Sequence, residues 1–158
     1  LGDDIIDSKV PALKQMMDVF EKHKGSIVAV QKVPDDQTHL YGVIDGEEVE
    51  PGVYKVADLV EKPKENPPSN LAIIGRYILT PEIFGCIERT KRGSGGEIQL
   101  TDAIRELLKE QEVFAFEFEG DRYDAGDKLG FLKANVSLAL KRDGISEDLR
   151  VFLKGLNL

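Results

Sequence analysis

Residues 26–31 read Ser-Ile-Val-Ala-Val-Gln, a short run of β-branched and small apolar residues that favours a buried strand. The preceding segment, residues 9–24, carries apolar side chains at helical spacing, so we expect a helix there, with Asp7 and Ser8 as candidate caps. Gly25 separates helix from strand and suits the left-handed conformation that often ends a helix. A short apolar element also precedes the helix, and the order strand, helix, strand predicts an α/β fold.

Downstream of this unit the pattern predicts three further strands. Residues 39–44 and 53–60 suit an antiparallel pair with a turn at residues 45–46, where Asp-Gly is a common hairpin turn. Residues 63–69 are polar and rich in proline and therefore predict a loop. The apolar run that follows, within residues 70–79, predicts the third strand.

The rest of the chain alternates helical and strand patterns. We expect Phe84 to face the core and Thr101, or the acidic residue beside it, to cap a helix. The remaining predicted elements, in chain order, are a helix beginning at Pro81, a helix over residues 103–111, a strand over residues 113–118, and helices over residues 128–141 and 146–153.

Composition excludes several classes of function. The 158 residues carry 21 Lys and Arg against 29 Asp and Glu, a net charge of −8, which disfavours nucleic acid as a partner. No apolar run approaches the roughly 20 residues of a membrane helix, so we expect no membrane insertion. Cys86 is the only cysteine and lies in an apolar setting, so we expect a buried thiol and a reducing, cytoplasmic compartment. The length fits one domain.

Acidic residues stand where predicted strands stop. Asp3, Glu61 and Asp124 each occupy such a position, and ligands of α/β sheets bind beyond the carboxyl ends of strands. Two carboxylates that converge there, together with substrate oxygens and waters, would suit Mg²⁺. The alternative, which is favoured when each residue is taken singly, is that Asp3 and Asp124 are ordinary turn or cap residues.

Lys62, next to Glu61, is the natural contact for a phosphate, while Glu61 could accept hydrogen bonds from hydroxyls. A surface ion pair of little energetic value is the alternative. The glycine-rich segment 93–96 lacks the Gly-Lys-Ser/Thr ending of a phosphate-binding loop, so we interpret it as a connection.

Five segments of the chain carry a family resemblance. In order, they are Leu-Gly-Asp-Asp at residues 1–4, Val-Glu-Lys-Pro at 60–63, Pro-Ser-Asn-Leu-Ala-Ile-Ile-Gly-Arg-Tyr-Ile-Leu at 68–79, Gly-Glu-Ile-Gln-Leu-Thr-Asp-Ala-Ile at 96–104, and Tyr-Asp-Ala-Gly-Asp-Lys-Leu-Gly at 123–130. Together they resemble the bacterial UTP-glucose-1-phosphate uridylyltransferases, a subgroup of the sugar nucleotidyltransferases. The resemblance spans residue 1 to about residue 140.

The resemblance implies a Rossmann-like α/β nucleotidyltransferase fold, a mixed sheet flanked by helices. It also implies Mg²⁺ dependence and the reaction of UTP with glucose 1-phosphate to give UDP-glucose and pyrophosphate. By position, Asp3 and Asp124 would be the catalytic metal ligands. Glu61 would bind the sugar hydroxyls, and Lys62 would bind the sugar phosphate as a further catalytic residue. The glycines that would line the sugar pocket are Gly42 and Gly75.

The family's amino-terminal glycine-rich loop and its base-reading segment have no counterpart in this sequence. We therefore expect residues 1–158 to be the carboxy-terminal, sugar- and metal-binding portion of a nucleotidyltransferase domain that is inactive alone, forms homo-oligomers and has an open sheet edge. Two alternatives stay open. One is a noncatalytic module that self-associates through the helices around Ile104 and Phe131, and the other is a related enzyme that uses another nucleotide such as dTTP.

Overall fold

The computed structural model describes residues 1–93 and 96–156. Contacts divide the chain into two compact units. Leu1–Asp7 and Gly120–Leu158 form one, here called the terminal unit, and Ser8–Glu119 form the other, here called the barrel unit. The elements in chain order are β1 (Asp4–Asp7), α1 (Ala12–His23), β2 (Ser26–Lys32), a 3₁₀ helix (Asp35–Leu40), β3 (Gly42–Glu50), β4 (Val53–Glu61), β5 (Leu71–Ile78), α2 (Ile83–Arg89), α3 (Leu100–Leu107), β6 (Val113–Glu117), β7 (Asp121–Asp124), α4 (Lys128–Ala139) and α5 (Ser146–Lys154).

The barrel unit is built on a closed sheet with the strand order β2-β5-β3-β4-β6. Strand β2 pairs in parallel with β6, whereas the other neighbours pair antiparallel, so the mixed sheet is confirmed. The first five residues of β2 are buried, as the apolar run at residues 26–31 predicted. The described strands of this sheet close on themselves and leave no open edge, whereas the two-stranded sheet of β1 and β7 is open, so the expected open edge is found there.

Helices α2 and α3 pack against each other, and α3 also packs against β4. Ile104 and Leu107, one turn apart on α3, are fully buried and form the apolar stripe of this helix. Ile104 is part of this core, so its own side chain is not available to a second copy, and self-association through α3 stays a prediction. Phe84 is 69% exposed rather than inward, because the inner face of α2 is taken by Ile83 and by Cys86 one turn later.

The start of α1 differs from the sequence-based expectation. The helix begins at Ala12 with Pro11 at its N-cap position, and no described side chain caps this end. Asp7 instead belongs to β1, where it pairs with Asp121. The hydroxyl of Ser8 donates to the carbonyl of Val10, so it stabilises the turn before the helix.

At the end of α1, the left-handed conformation expected of Gly25 is found at its neighbour Lys24. Lys24, not Gly25, adopts the left-handed conformation, with φ 58°, and its N–H donates to the Phe20 carbonyl at 2.7 Å. A Cβ on Gly25 would lie 2.6 Å from the backbone carbonyl oxygen of Glu112. Glycine is therefore needed here for close backbone approach at the start of β2, and not for its dihedral freedom.

The β3–β4 hairpin turns at residues 51–52, not at residues 45–46 as predicted. Strand β3 runs through Asp45 and Gly46, which pair with Asp58 and Val56, so one residue of β4 bulges out between them. A bulge shifts the alternation of side chains, and Leu59 consequently takes the buried face instead of Val60. Since alternate residues share a face, Glu61 at the end of β4 lies on the side of Leu59.

The terminal unit pairs β1 with β7 in antiparallel fashion, and α4 packs against β7. A buried ion pair joins its strands, with the Nε of Arg122 2.5 Å from Asp4 Oδ1. Asp127 caps α4 by accepting from the N–H of Gly130 at 2.8 Å. Among the described residues, no helix combines the length and the apolarity needed to cross a bilayer. Exposed apolar side chains on α4 and α5 include Leu129, Phe131, Leu132, Val151 and Phe152.

Candidate functional site

The end of β4 places Glu61 and Lys62 in different backbone conformations. Glu61 is the last strand residue and pairs with Gly42, the first residue of β3. Lys62 has a left-handed backbone, φ 47°, and its N–H donates to the carbonyl of Tyr41 at 3.0 Å. This conformation costs a residue with a Cβ roughly 1–2 kcal/mol, and such strained residues are concentrated at functional sites. Lys24 and Asn66 share this conformation, so a functional role for Lys62, whose side chain is exposed, stays a prediction.

The carboxylate of Glu61 is held by a side chain that sequence analysis had not assigned to the site. Thr101 Oγ1 donates to Glu61 Oε2 at 2.6 Å, and Thr101 is only 7% exposed. The expected capping role is wrong, since Gln99 is the N-cap of α3 and no described side chain caps that end. Two sequence signals were present: a hydroxyl at the start of a helix, which normally indicates a cap, and the position of Thr101 within the resemblance segment at residues 96–104.

Gly42 makes room for this hydrogen bond. A Cβ at this position would lie 2.8 Å from Thr101 Oγ1 and 3.1 Å from Glu61 Oε2. Both distances are shorter than ordinary contacts, so a larger residue would push the two side chains apart. The structure therefore brings Gly42 and Glu61 together as predicted, and adds Thr101 between them.

Gly75, the second predicted pocket glycine, is buried in β5. It lies where the pairing of β5 with β2 is irregular, because the register shifts between Val28 and Val30. Its carbonyl accepts a hydrogen bond from Arg76 Nη1 at 3.1 Å. A role for Gly75 in lining a sugar pocket stays a prediction.

Asp3 and Asp124 meet in the terminal unit. Asp124 ends β7 opposite Asp4, and the carbonyl of Asp3 accepts from the N–H of Ala125 at 2.7 Å. A Cβ on Gly126 would lie 2.9 Å from Asp3 Oδ2 and 3.1 Å from Asp124 Oδ1. Two carboxylate oxygens from separate segments thus face the same small space, which glycine leaves open.

This arrangement fits a hard divalent cation. Asp124 Oδ1 also accepts from the N–H of Gly126 at 3.0 Å, and its Oδ2 lies 3.5 Å from Arg122 Nη2. Within residues 1–93 and 96–156, no group of three or more His, Cys, Asp or Glu residues is placed to hold a metal. Mg²⁺ does not need such a cage, because it keeps several waters and shares phosphate oxygens with one or two carboxylates.

The two pairs of predicted site residues belong to different compact units. Asp3 and Asp124 lie in the terminal unit, and Glu61 and Lys62 lie in the barrel unit. Their convergence on one ligand stays a prediction. The glycine-rich connection at residues 93–96 is described only in part, because residues 94–95 lie outside the described residues.

Cys86, the single cysteine of the chain, has a structural role. Cys86 is fully buried, as predicted, and burial raises the pKa of its thiol, with the nearby Glu110 carboxylate adding to the shift. A higher pKa lowers the thiolate fraction at neutral pH and thus the reactivity of the sulfur. Cys86 is therefore a packing residue of α2.

Comparison with known proteins shows the family of this chain. Residues 1–140 match the nucleotidyl transferase family. The chain belongs to this family. It is 53% identical to the UTP-glucose-1-phosphate uridylyltransferase of Staphylococcus epidermidis over 100% of its own length and 55% of that protein. The chain thus spans about half the length of the curated relatives that it matches.

Solved structures agree with this assignment to the nucleotidyl transferases. A UDP-glucose pyrophosphorylase complexed with UDP-glucose shares 46% identity and a TM-score of 0.85, over 90% of this chain and 55% of that one. A UTP-bound UGPase from Acinetobacter baumannii gives a TM-score of 0.87 at 30% identity, over 99% of this chain and 55% of that one. The expected mixed α/β nucleotidyltransferase fold and the resemblance to UTP-glucose-1-phosphate uridylyltransferases are therefore confirmed.

Proposed function

We propose that residues 1–158 form the carboxy-terminal, sugar- and metal-binding portion of an enzyme that transfers a uridylyl group from UTP to glucose 1-phosphate. The products are UDP-glucose and pyrophosphate. The observation that carries this proposal is the cluster of Gly42, Glu61 and Thr101 beside the strained Lys62, in a chain whose relatives carry that enzyme name.

Glu61 and Lys62 would together bind glucose 1-phosphate, Glu61 through the sugar hydroxyls and Lys62 through the phosphate group. The Thr101 hydrogen bond engages Oε2 of Glu61, so Oε1 is the oxygen that would accept from sugar hydroxyls. The ammonium of Lys62 would neutralise the phosphate and orient its attacking oxygen. That oxygen bonds to the α-phosphorus of UTP as the bond to pyrophosphate breaks, so catalysis depends on positioning and charge more than on a base.

The metal assignment rests on Asp3 and Asp124. Nucleotidyl transferases generally use a divalent metal, and we assign Mg²⁺ here because the donors are carboxylate oxygens. When bound, Mg²⁺ would neutralise charge on the reacting phosphates. Asp3 Oδ2 and Asp124 Oδ1 would hold it next to Gly126, whose missing side chain leaves the space.

Calorimetric titration of UDP-glucose into the chain, with Mg²⁺ or with EDTA, tests this function. We expect binding to be about tenfold tighter or more with Mg²⁺, and Asp124→Asn to abolish that difference. Asp121→Asn is the matched control, because it makes the same change on an exposed residue of the same strand. Equal binding with and without Mg²⁺ would remove the metal assignment. The alternative nucleotide is tested by comparing UTP with dTTP in a protein that also contains the base-reading segment.

We further propose that the protein is a cytoplasmic homo-oligomer. The single thiol suits a reducing compartment. Exposed apolar side chains of α4 and α5, such as Phe131 and Phe152, would support contact with a second copy. Light scattering after size-exclusion chromatography should show a mass above 17.5 kDa that falls to this value in Phe131→Glu.

A further inference from the structure

We propose that Thr101 is a positioning residue, whose hydroxyl fixes the carboxylate of Glu61 in the orientation that receives the sugar and so sets the preference for a sugar-bearing ligand. This inference rests on the sugar-binding role proposed for Glu61. Thr101 itself need not touch the substrate, because it acts through Glu61.

The geometry of the contact supports this role. The donor–acceptor distance of 2.6 Å from Thr101 Oγ1 to Glu61 Oε2 is short, as expected for a hydroxyl that donates to a carboxylate. Thr101 is buried, whereas Glu61 at the end of β4 is only half-buried, so the hydroxyl comes from the packed side of this contact. Because Thr101 does not cap α3, its hydroxyl serves Glu61 and not the end of the helix.

Thr101 is also well placed to act as a rigid support. It lies in the first turn of α3, whose residues Ile104 and Leu107 are fully buried in the core. Glu61, by contrast, is a long side chain at a strand end, which would otherwise sample several rotamers. A support on a packed helix reduces the rotamer freedom that Glu61 loses on binding.

Gly42 completes the arrangement. The space that a Cβ would fill is bounded by Thr101 Oγ1 at 2.8 Å, Glu61 Oε2 at 3.1 Å and Ile73 Cδ1 at 3.3 Å. Thr101, Glu61 and Ile73 therefore all border the space that Gly42 leaves empty, and within it the Thr101 hydroxyl is a fixed hydrogen-bond partner of the carboxylate. The predicted pocket glycine and the hydroxyl that sequence analysis missed thus serve the same carboxylate.

The test compares UDP-glucose with UDP, which lacks the sugar, by calorimetry in the presence of Mg²⁺. Thr101→Val removes the hydroxyl at nearly constant volume, whereas Thr101→Ser keeps it. We expect Thr101→Val to lose about tenfold in UDP-glucose affinity with UDP affinity unchanged, and Thr101→Ser to retain the preference. Thr101→Ala provides a second measurement with a smaller side chain. In a Glu61→Ala background, Thr101→Val should have no further effect.

The other outcomes are distinct. If Thr101→Val keeps the preference for UDP-glucose while Glu61→Ala loses it, Thr101 does not position Glu61 and only this inference is overturned. If Thr101→Val weakens both ligands equally, or if its effect persists in Glu61→Ala, Thr101 acts on the fold or by direct contact, which also overturns the inference. A wild-type chain with no preference for UDP-glucose over UDP overturns the proposed sugar site itself, and the inference with it.

Discussion

Lys24 and Gly25 lie next to each other at the end of α1, and substitutions that add or remove a Cβ should change stability in opposite directions at these two positions. Lys24 carries the left-handed backbone, so Lys24→Gly should stabilise the protein relative to Lys24→Ala. Both variants lose the exposed ion pair with Glu21, so their difference isolates the backbone term. Gly25→Ala should destabilise, because its Cβ would lie 2.6 Å from the carbonyl oxygen of Glu112.

The magnitudes follow from two opposing terms. The left-handed conformation costs a residue with a Cβ roughly 1–2 kcal/mol, and the greater freedom of glycine in the unfolded chain costs about 0.4–1 kcal/mol. Lys24→Gly should therefore exceed Lys24→Ala by about 0.5–1 kcal/mol in the free energy of unfolding. Forcing an extra carbon against a backbone oxygen costs about 1–3 kcal/mol, so Gly25→Ala should lose about 1–2 kcal/mol after the unfolded-state gain.

Urea unfolding followed by far-ultraviolet circular dichroism measures these differences, since the chain has no tryptophan to serve as a fluorescent probe. The comparison of Lys24→Gly with Lys24→Ala is the decisive one. If Lys24→Gly is the less stable of the two, the left-handed conformation does not belong to Lys24. If Gly25→Ala is as stable as the wild type, the close approach to Glu112 does not constrain this position.

Three further predictions concern the site and the core. Gly42→Ala should weaken UDP-glucose binding by about tenfold, measured by calorimetry, because its Cβ displaces the Glu61 carboxylate, and unchanged affinity would contradict the steric argument. Gly126→Ala should raise the Mg²⁺ concentration needed for half-maximal UDP-glucose binding, because its Cβ enters the space between the two aspartates; an unchanged midpoint would place the metal elsewhere. Cys86 should react with a thiol reagent about 100-fold more slowly in native than in urea-unfolded protein, and rapid native labelling would refute its burial.

Periodicity was sufficient for the elements whose pattern is set by burial. The strand β2 was predicted from its continuous apolar run and the helix α3 from its helical spacing, because burial depends on residue type and spacing. Most of the order of helices and strands followed from the same patterns, but the 3₁₀ helix and β7 were not among the predicted elements. Element boundaries within one or two residues, as for α5, also came from local signals.

Local signals failed where a distant backbone decided the outcome. The Asp45-Gly46 pair suits a hairpin turn, yet the strand continues through it, because pairing with β4 continues around a bulge. Gly25 looked like a helix terminus, but its requirement comes from Glu112, which is far away in sequence. Thr101 was interpreted as a cap because its partner Glu61 is also distant in sequence, and only the folded chain brings the two residues together.

The charged residues of the candidate site were predicted from the sequence, but the backbone conformation of Lys62 was not. Asp3, Glu61, Lys62 and Asp124 were predicted from positions at strand ends and from family resemblance, and their roles stay predictions. The position predicted for Asp3 was wrong, because Asp3 precedes β1 instead of following a strand, although the structure brings it next to Asp124. Spacing could not reveal the strained backbone of Lys62, because left-handed conformations of residues other than glycine leave no sequence pattern.

The parallel pairing of β2 with β6 has a consequence for how the barrel unit folds. Its register joins Ser26 to Val113, so closure requires a large loop of chain to be ordered first. The β3–β4 hairpin needs only a tight turn and can form early. We expect closure between β2 and β6 to be the slow step of folding, because the entropy of closing the loop is lost before the contacts between these distant strands can form. During synthesis, β2 must therefore wait for β6 to emerge from the ribosome before its last neighbour is in place.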